Sequence, residues 1–381
     1  MTGAGEVAGA SPGRGPGGEP GSLRDLFPGY FALVMATGII AIGALQQGIT
    51  WLAQALLWTN VAFYAVLWVL YLLRLARYPA RFLDDLTSHR RGPAFLTIVA
   101  GTNVLGAGFV LIAEWRTVGL SLWLCGIALW ALLFYAVATA VTIKEPKPDL
   151  AEGLNGGWLL LIVGTESVGV LGALLAADSM HAELLLFVAL VACMVGLLLY
   201  TIVIALVCYR WWFFRMPSAE ATPPYWINMG ALAITTLACA NIYAGRAVAP
   251  SVNALGPFLA GMTVLFWAGA SWWIPLLVAI GVWRHLVDRV PLRYDPQYWS
   301  LVFPLGMYGV ATFRMAGSLG LQFLGWIPQL FLAAALLAWA ATLAGMLRSI
   351  ARGASARQRG RRSQPGRGGR APGTAAGARR R

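Results

Sequence analysis

Charged residues are scarce in this chain. Only 11% of its 381 residues are Asp, Glu, Lys or Arg, 59% are hydrophobic, and the mean hydropathy is +0.69. A soluble domain usually has about a quarter of its residues charged, so this chain lacks the polar groups that a soluble surface needs. The shortage excludes a soluble enzyme and a disordered regulator, and it predicts a polytopic membrane protein.

The common signatures of catalysis and metal binding are also missing from the sequence. The four cysteines form no CxxC pair, and the three histidines stand near the ends of apolar segments. We therefore expect neither a metal site nor a cofactor. There is no Gly-rich phosphate loop, no paired acids and no nucleophile constellation, so we expect a protein that is not an enzyme. The first 22 residues lack the apolar core of a cleavable signal.

Ten apolar segments follow one another between two polar tails. Tight joints alternate with longer polar joints, which predicts an all-α membrane domain over residues 23–347 with ten transmembrane helices in five helical hairpins. The approximate limits of the segments are 28–48, 50–74, 94–114, 117–142, 157–177, 182–208, 225–246, 254–286, 298–321 and 326–347.

The two tails have different compositions. Residues 1–22 are mostly Gly, Pro, Ala and Ser with scattered charge, which predicts disorder. Residues 348–381 contain eleven arginines and no acid, and we expect a second disordered tail. An Arg-rich tail beside a final span is more typical of contact with anionic lipid than of nucleic-acid binding.

The cationic residues are concentrated on one side of the predicted membrane domain. Only Arg116, Arg246 and Arg314 fall outside the tails and the longer joints. Because Lys and Arg mark the cytoplasmic face, we expect a multi-pass protein of the cell membrane with both termini in the cytoplasm.

A threonine recurs in the odd-numbered segments. Successive copies are 65, 63, 71 and 76 residues apart, a period that indicates a repeated helical hairpin. The odd segments are also rich in small residues, which allow close helix packing, so we place them inside and the bulkier even segments outside. Five inner helices around a centre predict an axial pore, and we expect the threonines to serve inner-helix packing. They are Thr37, Thr102, Thr165, Thr236 and Thr312.

Four phrases of the sequence resemble the tellurite-resistance/dicarboxylate transporter family, which includes TehA-like and slow anion channels. The resemblance covers about residues 28–347 and implies ten helices in five hairpins around a pore in each protomer of a homotrimer. It implies small anions as substrates, among them chloride, nitrate, malate, sulfite and tellurite, without choosing between them. The phrases are FPGYFALVMATGI, GGWLLLIVGTESVGVLGA, WINMGALAITTL and YWSLVFPLGMYGVATFR.

The same resemblance implies that a phenylalanine on the ninth helix closes the pore, and Phe303 stands at the matching position. A bulky ring in a narrow lumen gates by steric closure and dewetting. The alternative is a phenylalanine that packs beside Pro304 near the cytoplasmic end, where aromatic residues are common.

Four further residues share a helical face with Phe303 at about 100° per residue. We predict that they face the pore and that Arg314 attracts anions toward the external mouth, because an arginine inside a membrane needs a polar cavity. Snorkelling of Arg314 to the external interface is the alternative. The four residues are Gly306, Met307, Val310 and Arg314.

Glu166 is the one acid well inside an apolar segment. Such a carboxyl group is either proton-linked or a structural hydrogen-bonding group that holds the fifth helix in place. By the threonine register it points to the flank of the pore, so we favour these two roles over direct contact with the substrate.

The sequence therefore predicts an anion channel or permease whose narrow pore is gated by Phe303. The alternative is a proton-coupled secondary transporter of a C4-dicarboxylate, sulfite or tellurite, which Glu166 favours. A third class is a membrane scaffold whose basic tail is the working part, and deletion after about residue 350 would abolish the function of such a scaffold.

Overall fold

The computed structural model describes residues 23–177 and 179–362. Most of this part of the chain is helical, and ten long helices follow one another along it. They are α1 (Ala32–Gln46), α2 (Thr50–Arg77), α3 (Leu96–Leu111), α4 (Arg116–Ile143), α5 (Leu160–Ala176), α6 (Ala182–Phe213), α7 (Ile227–Gly245), α8 (Gly256–Val282), α9 (Trp299–Leu319) and α10 (Trp326–Arg362).

Each predicted apolar segment coincides with most or all of one of these helices, or with its membrane-length part, so the all-α class is confirmed for the described residues. Within that part of the chain, eight helices are long and apolar enough to cross a membrane. Helix α1 has 15 residues and is shorter than a typical span, and α9 is not among the eight.

The odd helices are buried and the even helices are exposed, as the distribution of small residues predicted. In the most apolar stretch of α3 with its entry turn, 94% of the residues are buried inside the protein, whereas the value for α4 is 17%. The same contrast separates α5 and α7 from α6, α8 and α10. The apolar surface of the even helices is therefore free to face lipid.

The five odd helices form a closed ring. Helix α1 contacts α3, α3 contacts α5, α5 contacts α7, α7 contacts α9, and α9 returns to α1. Each even helix packs against the odd helix that precedes it and against the next odd helix around the ring, so α10 lies on both α9 and α1. An inner ring of five helices is thus surrounded by an outer layer of five.

Short turns of 3-10 helix lead into four of the five inner helices. Proline suits such a turn because its φ angle is fixed and its missing N–H would be unpaired there in any case. Glycine takes the corresponding place before α5. The turns are Gly92–Phe95, Gly156–Leu159, Pro223–Trp226 and Pro296–Tyr298.

Buried ion pairs hold two of the basic joints. A guanidinium nitrogen of Arg74 lies 2.5 Å from a carboxylate oxygen of Asp85, and Arg91 contacts the other oxygen at 3.1 Å. Burial lowers the pKa of Arg91, and the neighbouring Asp85 partly offsets that effect. Arg210 pairs with Glu220 at 2.7 Å. Part of the basic charge therefore fixes the joints and is not free to bind a ligand.

The last helix extends beyond the predicted end of the membrane domain. Helix α10 continues to Arg362, so residues 348–362 are helical and the expectation of disorder from residue 348 is corrected for them. Hydropathy indicates where a helix leaves the membrane, whereas Ala and Arg are good helix formers in water as well. The rest of the predicted C-terminal tail and the predicted N-terminal tail, residues 1–22, lie outside the described residues.

Candidate functional site

The repeated threonines bind the outer helices. Each of the five donates its hydroxyl to the carbonyl oxygen four residues earlier in its own helix. Four of them also bond to an aromatic side chain on the outer helix that precedes them around the ring. These pairs are Thr37–Trp339 at 2.9 Å, Thr102–Tyr64 at 3.0 Å, Thr165–Trp130 at 2.8 Å and Thr312–Trp267 at 2.9 Å.

The aromatic partners form a second repeat that the sequence reasoning missed. With Tyr200 on α6, one aromatic residue occupies a comparable position on every even helix. Among the described residues the fifth pair is not formed, and Tyr200 instead accepts a hydrogen bond from Trp273 at 3.0 Å. The signal was present as a spacing of 66 to 72 residues, but the abundance of aromatic residues hides it.

Contacts on three sides fix the rotation of α9. Thr312 faces α8 through its bond to Trp267. A Cβ atom at Gly230 of α7 would lie 2.8 Å from Cγ of Pro304, and a Cβ atom at Gly306 would lie 2.8 Å from Ile39 of α1. Pro304 therefore faces α7, Gly306 faces α1, and the face opposite Thr312 is left for the inside of the ring.

Four of the predicted site residues belong to that inward face. At about 100° per residue, Phe303, Met307, Val310 and Arg314 all lie within roughly 40° of the direction opposite Thr312. Gly306 lies at the edge of this face, toward α1. Phe303, Met307 and Val310 are all at least 98% buried, so the side chains on this face fill the space that they enter.

Phe303 stands near the basic end of α9. It follows Trp299, the first residue of the helix, by one turn, and both side chains are buried. Arg314 is eleven residues further along, about 17 Å at ~1.5 Å per residue. The phenyl group of Phe303 and the guanidinium group of Arg314 therefore lie at two separate levels along the axis of the five inner helices.

Arg314 is half-buried and bound to a neighbouring inner helix. Its Nε donates to Oδ1 of Asn241 on α7 at 2.7 Å. Among the described residues, no acidic side chain forms an ion pair with it. Arg116 and Arg246, the other two cations away from the basic joints, bond to backbone carbonyl groups. Arg314 therefore keeps an uncompensated positive charge at the inner ring.

Glu166 points away from the inside of the ring. A side chain at Gly196 of α6 would overlap the Glu166 carboxyl group, so Gly196 provides the space that this group occupies. Oε1 accepts a hydrogen bond from Thr235 of α7 at 3.1 Å, and Oε2 has no partner among the described residues. The carboxyl group therefore sits where α5, α6 and α7 meet.

Two other hairpins repeat this pairing of a polar group with a glycine. Asn103 of α3 packs against Gly126 of α4, and Gly38 of α1 packs against Asn60 of α2. Asn103 also donates to Oγ of Ser167 on α5 at 3.0 Å. Glu166 thus occupies a position that an uncharged amide fills in the preceding repeat.

Cys193 and Cys239 lie beside Glu166, with their sulfur atoms 3.3 Å apart. Over residues 23–177 and 179–362, no group of three His, Cys, Asp or Glu side chains is arranged to hold a metal ion.

Comparison with known proteins gives a family match over most of the chain. A sequence profile described as voltage-dependent anion channel matches residues 25–347. The chain is 26% identical over 313 residues to an uncharacterized transporter of Methanocaldococcus jannaschii, covering 80% of this chain and 89% of that protein. It is 28% identical over 294 residues to a second such transporter, covering 75% and 82% of the two chains. An uncharacterized membrane protein of Mycobacterium tuberculosis is 44% identical over 161 residues, covering 40% of this chain and 77% of that protein.

Proposed function

The chain belongs to the voltage-dependent anion channel family, and we propose that it carries anions across a membrane along the axis of its five inner helices. All ten long helices cross the membrane in this proposal, as five hairpins around the path. The observation that carries the proposal is the closed ring of buried odd helices, with one face of α9 turned toward its inside.

The ring size supports a narrow path. Five helices about 9 Å apart in a regular ring have their axes about 8 Å from the centre, and a helix radius of about 5 Å leaves a lumen of ~3 Å radius. Such a lumen admits a small anion only after it loses much of its water. Dehydration together with a diffuse positive field then sets selectivity, which we expect to be weak.

Phe303 is the gate in this proposal. Phe303 lies on the inward face and is 1% exposed, which fits a phenyl group that fills the lumen near the basic end. Met307 and Val310 continue an apolar wall beyond it, and Gly306 at the edge of the face lets α1 approach. A rotation of the Phe303 side chain would open the path without moving a helix.

Arg314 supplies the positive field at the other mouth. Its guanidinium group has no acidic partner among the described residues, and Asn241 holds it at the ring. An unpaired cation at the mouth raises the local concentration of anions and repels cations. This arrangement supports anions as the transported class, of which chloride, nitrate, malate, sulfite and tellurite are the candidates.

Glu166 has a structural role in this proposal. Its contacts with Gly196 and Thr235 lie on the outer side of α5, so a carboxylate there would not meet the transported anion. The alternative function, proton-coupled transport of a dicarboxylate, sulfite or tellurite, requires this group to change its protonation during the cycle.

The test is the current through purified protein in planar bilayers under chloride, nitrate and malate gradients at two pH values. We expect Phe303→Ala to raise the current at least tenfold, with reversal at the anion equilibrium potential and no dependence on pH. Leu305→Ala is the matched control, because Leu305 lies near the same depth on the outward face of α9. An equal rise in both variants would mean that loosened packing, and not an opened gate, admits the ions.

The coupled transporter makes a different prediction in the same preparation. It gives no current in either variant, a malate or sulfite uptake into vesicles that a pH gradient drives, and loss of that coupling in Glu166→Gln. We further propose that the protein is a homotrimer of the cell membrane with both termini in the cytoplasm and with its basic tail against anionic lipid. Cross-linking and labelling of the termini in intact cells test these points.

A further inference from the structure

A polar cavity of about 210 Å³ lies outside the inner ring, at the basic end. Its walls come from the joint before α7 and from the end of α8 with the joint that leads into α9, and none come from α1, α3 or α5. Because of these walls, the cavity is distinct from the axial path. Since one molecule of liquid water occupies about 30 Å³, the cavity has room for a small hydrated ion.

Arg284 supplies a fixed guanidinium group to this cavity. It belongs to a single π-helical turn, Trp283–Val287, that ends α8, and such turns are frequent at functional sites. Nη1 donates to the carbonyl oxygens of Ser218 and Ala219 at 2.7 and 2.9 Å. Among the described residues, Nη1 is the one nitrogen of this guanidinium group with a hydrogen-bond partner, and Nη2, unlike Nε, is not fully buried, so Nη2 keeps its donors free.

Arg293 brings a second cation to the cavity wall. Among the described residues it forms no ion pair. The one acid in the lining is Asp295, and its Oδ1 accepts from the backbone N–H of Gln297 at 2.8 Å, which caps the turn before α9. The lining thus contains two guanidinium groups and one carboxylate, and the cavity carries a net positive charge.

The remaining lining adds neutral hydrogen-bonding groups. Gln297, Tyr298 and Thr222 line the same space. Burial raises the pKa of Tyr298 while Arg284 opposes the rise, so the phenol stays a neutral donor beside the guanidinium group. Planar guanidinium groups bind oxyanions through paired hydrogen bonds. Chloride, which has no such pair of oxygens, is a poorer match for this set of donors.

We propose that this cavity binds a small oxyanion, of the phosphate, sulfate or carboxylate type, between Arg284 and Arg293. The oxyanion is either a free ion or the phosphate of a lipid headgroup at the basic end. The site does not depend on the transport function, since its residues are outside the inner ring. A bound oxyanion links the joint before α7 to the turn that starts α9.

The test is calorimetric titration of the purified full chain in detergent, first with inorganic phosphate and then with a short-chain phosphatidic acid below its micelle concentration. Sodium chloride at the same ionic strength is the reference. We expect saturable binding of at least one probe, weakened at least tenfold in Arg293→Gln. Arg215→Gln is the matched control, because Arg215 is an exposed arginine on the same basic end of the protein and does not itself line the cavity.

The two probes distinguish the sources of the oxyanion. Binding of inorganic phosphate indicates a free ion, and binding of phosphatidic acid alone indicates a lipid headgroup. No binding of either probe would overturn the proposal, as would an equal loss of affinity in Arg215→Gln and Arg293→Gln. Thermal unfolding gives a second readout, since a ligand that binds the folded state raises Tm. Phosphate or phosphatidic acid should raise Tm in wild type and Arg215→Gln but not in Arg293→Gln.

Discussion

At the scale of single residues, the effect of the Arg314 charge on anion current can be separated from the effect of its packing. The side chain is half-buried, carries an uncompensated charge and touches one amide. We predict that Arg314→Gln lowers anion current several-fold at about 0.01 M salt and much less at about 1 M, because salt screens a field that acts at a distance. Currents of wild type, Arg314→Gln and Arg314→Lys over this salt range check the prediction.

Arg314→Lys is the control in that series, since it keeps the charge and loses the planar bond to Asn241. If the lysine variant loses as much current as the glutamine variant at every salt concentration, the contact with Asn241 matters and the field does not.

The contact between Glu166 and Gly196 gives a prediction about stability. A methyl group at Gly196 would overlap the buried carboxyl group, and overpacking of this kind costs about 1–3 kcal/mol. Gly196→Ala should therefore lower Tm in detergent. Gly281→Ala on α8 is the matched control, because a Cβ atom there meets nothing within 4 Å. The control variant should be neutral or slightly more stable, since alanine favours a helix more than glycine does.

A combined variant refines this argument. If Gly196→Ala is destabilising because of the carboxyl group, Glu166→Ala should recover part of the lost Tm. If the Gly196→Ala protein is as stable as the Gly281→Ala protein, α5 and α6 can instead move apart enough to accommodate the added methyl group.

The sequence could predict these site residues only in part. The helical period placed Phe303 and Arg314 on one face because a single helix fixes their relative angle. It could not show which face pointed inward, because that depends on contacts with Ile39, Gly230 and Trp267, which are distant in the chain. The threonine register predicted that Glu166 points to the flank, but its pairing with Gly196 joins two helices and has no local signature.

At the scale of whole helices, the bond between Trp339 and Thr37 joins the last outer helix to the first inner helix. These residues are 302 positions apart, and the bond fastens α10 to α1. We predict that Trp339→Phe and Thr37→Val each lower Tm and that their effects are not additive. A coupling energy of about 0.6–2 kcal/mol is typical of such bonds between membrane helices. Thermal unfolding of the two single variants and the double variant measures it.

Trp130 and Thr165 offer a matched pair inside the chain, because their bond joins consecutive helices α4 and α5. The loss of either bond should cost a similar amount if the repeat is energetically uniform. Strict additivity for Trp339→Phe and Thr37→Val would mean that the bond adds nothing to the attachment of α10 to α1.

The helices were predictable from composition, whereas some of their ends were not. Apolar runs of about 20 residues located all ten long helices of the described residues, and eight of these helices are long and apolar enough to cross a membrane. Helix α6 nevertheless continues to Phe213, and α10 continues to Arg362. Hydropathy falls at the membrane surface, but the backbone hydrogen bonds of a helix do not need lipid.

At the scale of the whole molecule, truncation of the Arg-rich tail distinguishes transport from scaffolding. Two of the contacts that fasten α10 come from residues before its Arg-rich part. Trp339 bonds to Thr37, and Gly345 packs close to Tyr294 in the joint before α9.

We predict that deletion of residues 351–381 leaves anion flux and Tm close to those of the full chain. Deletion of residues 335–381 should lower both, because it removes Trp339 and the packing beside Tyr294. Flux into vesicles and thermal unfolding of the two truncated proteins check this. A scaffold whose tail is the working part requires the opposite result, in which the first deletion abolishes function while the fold persists.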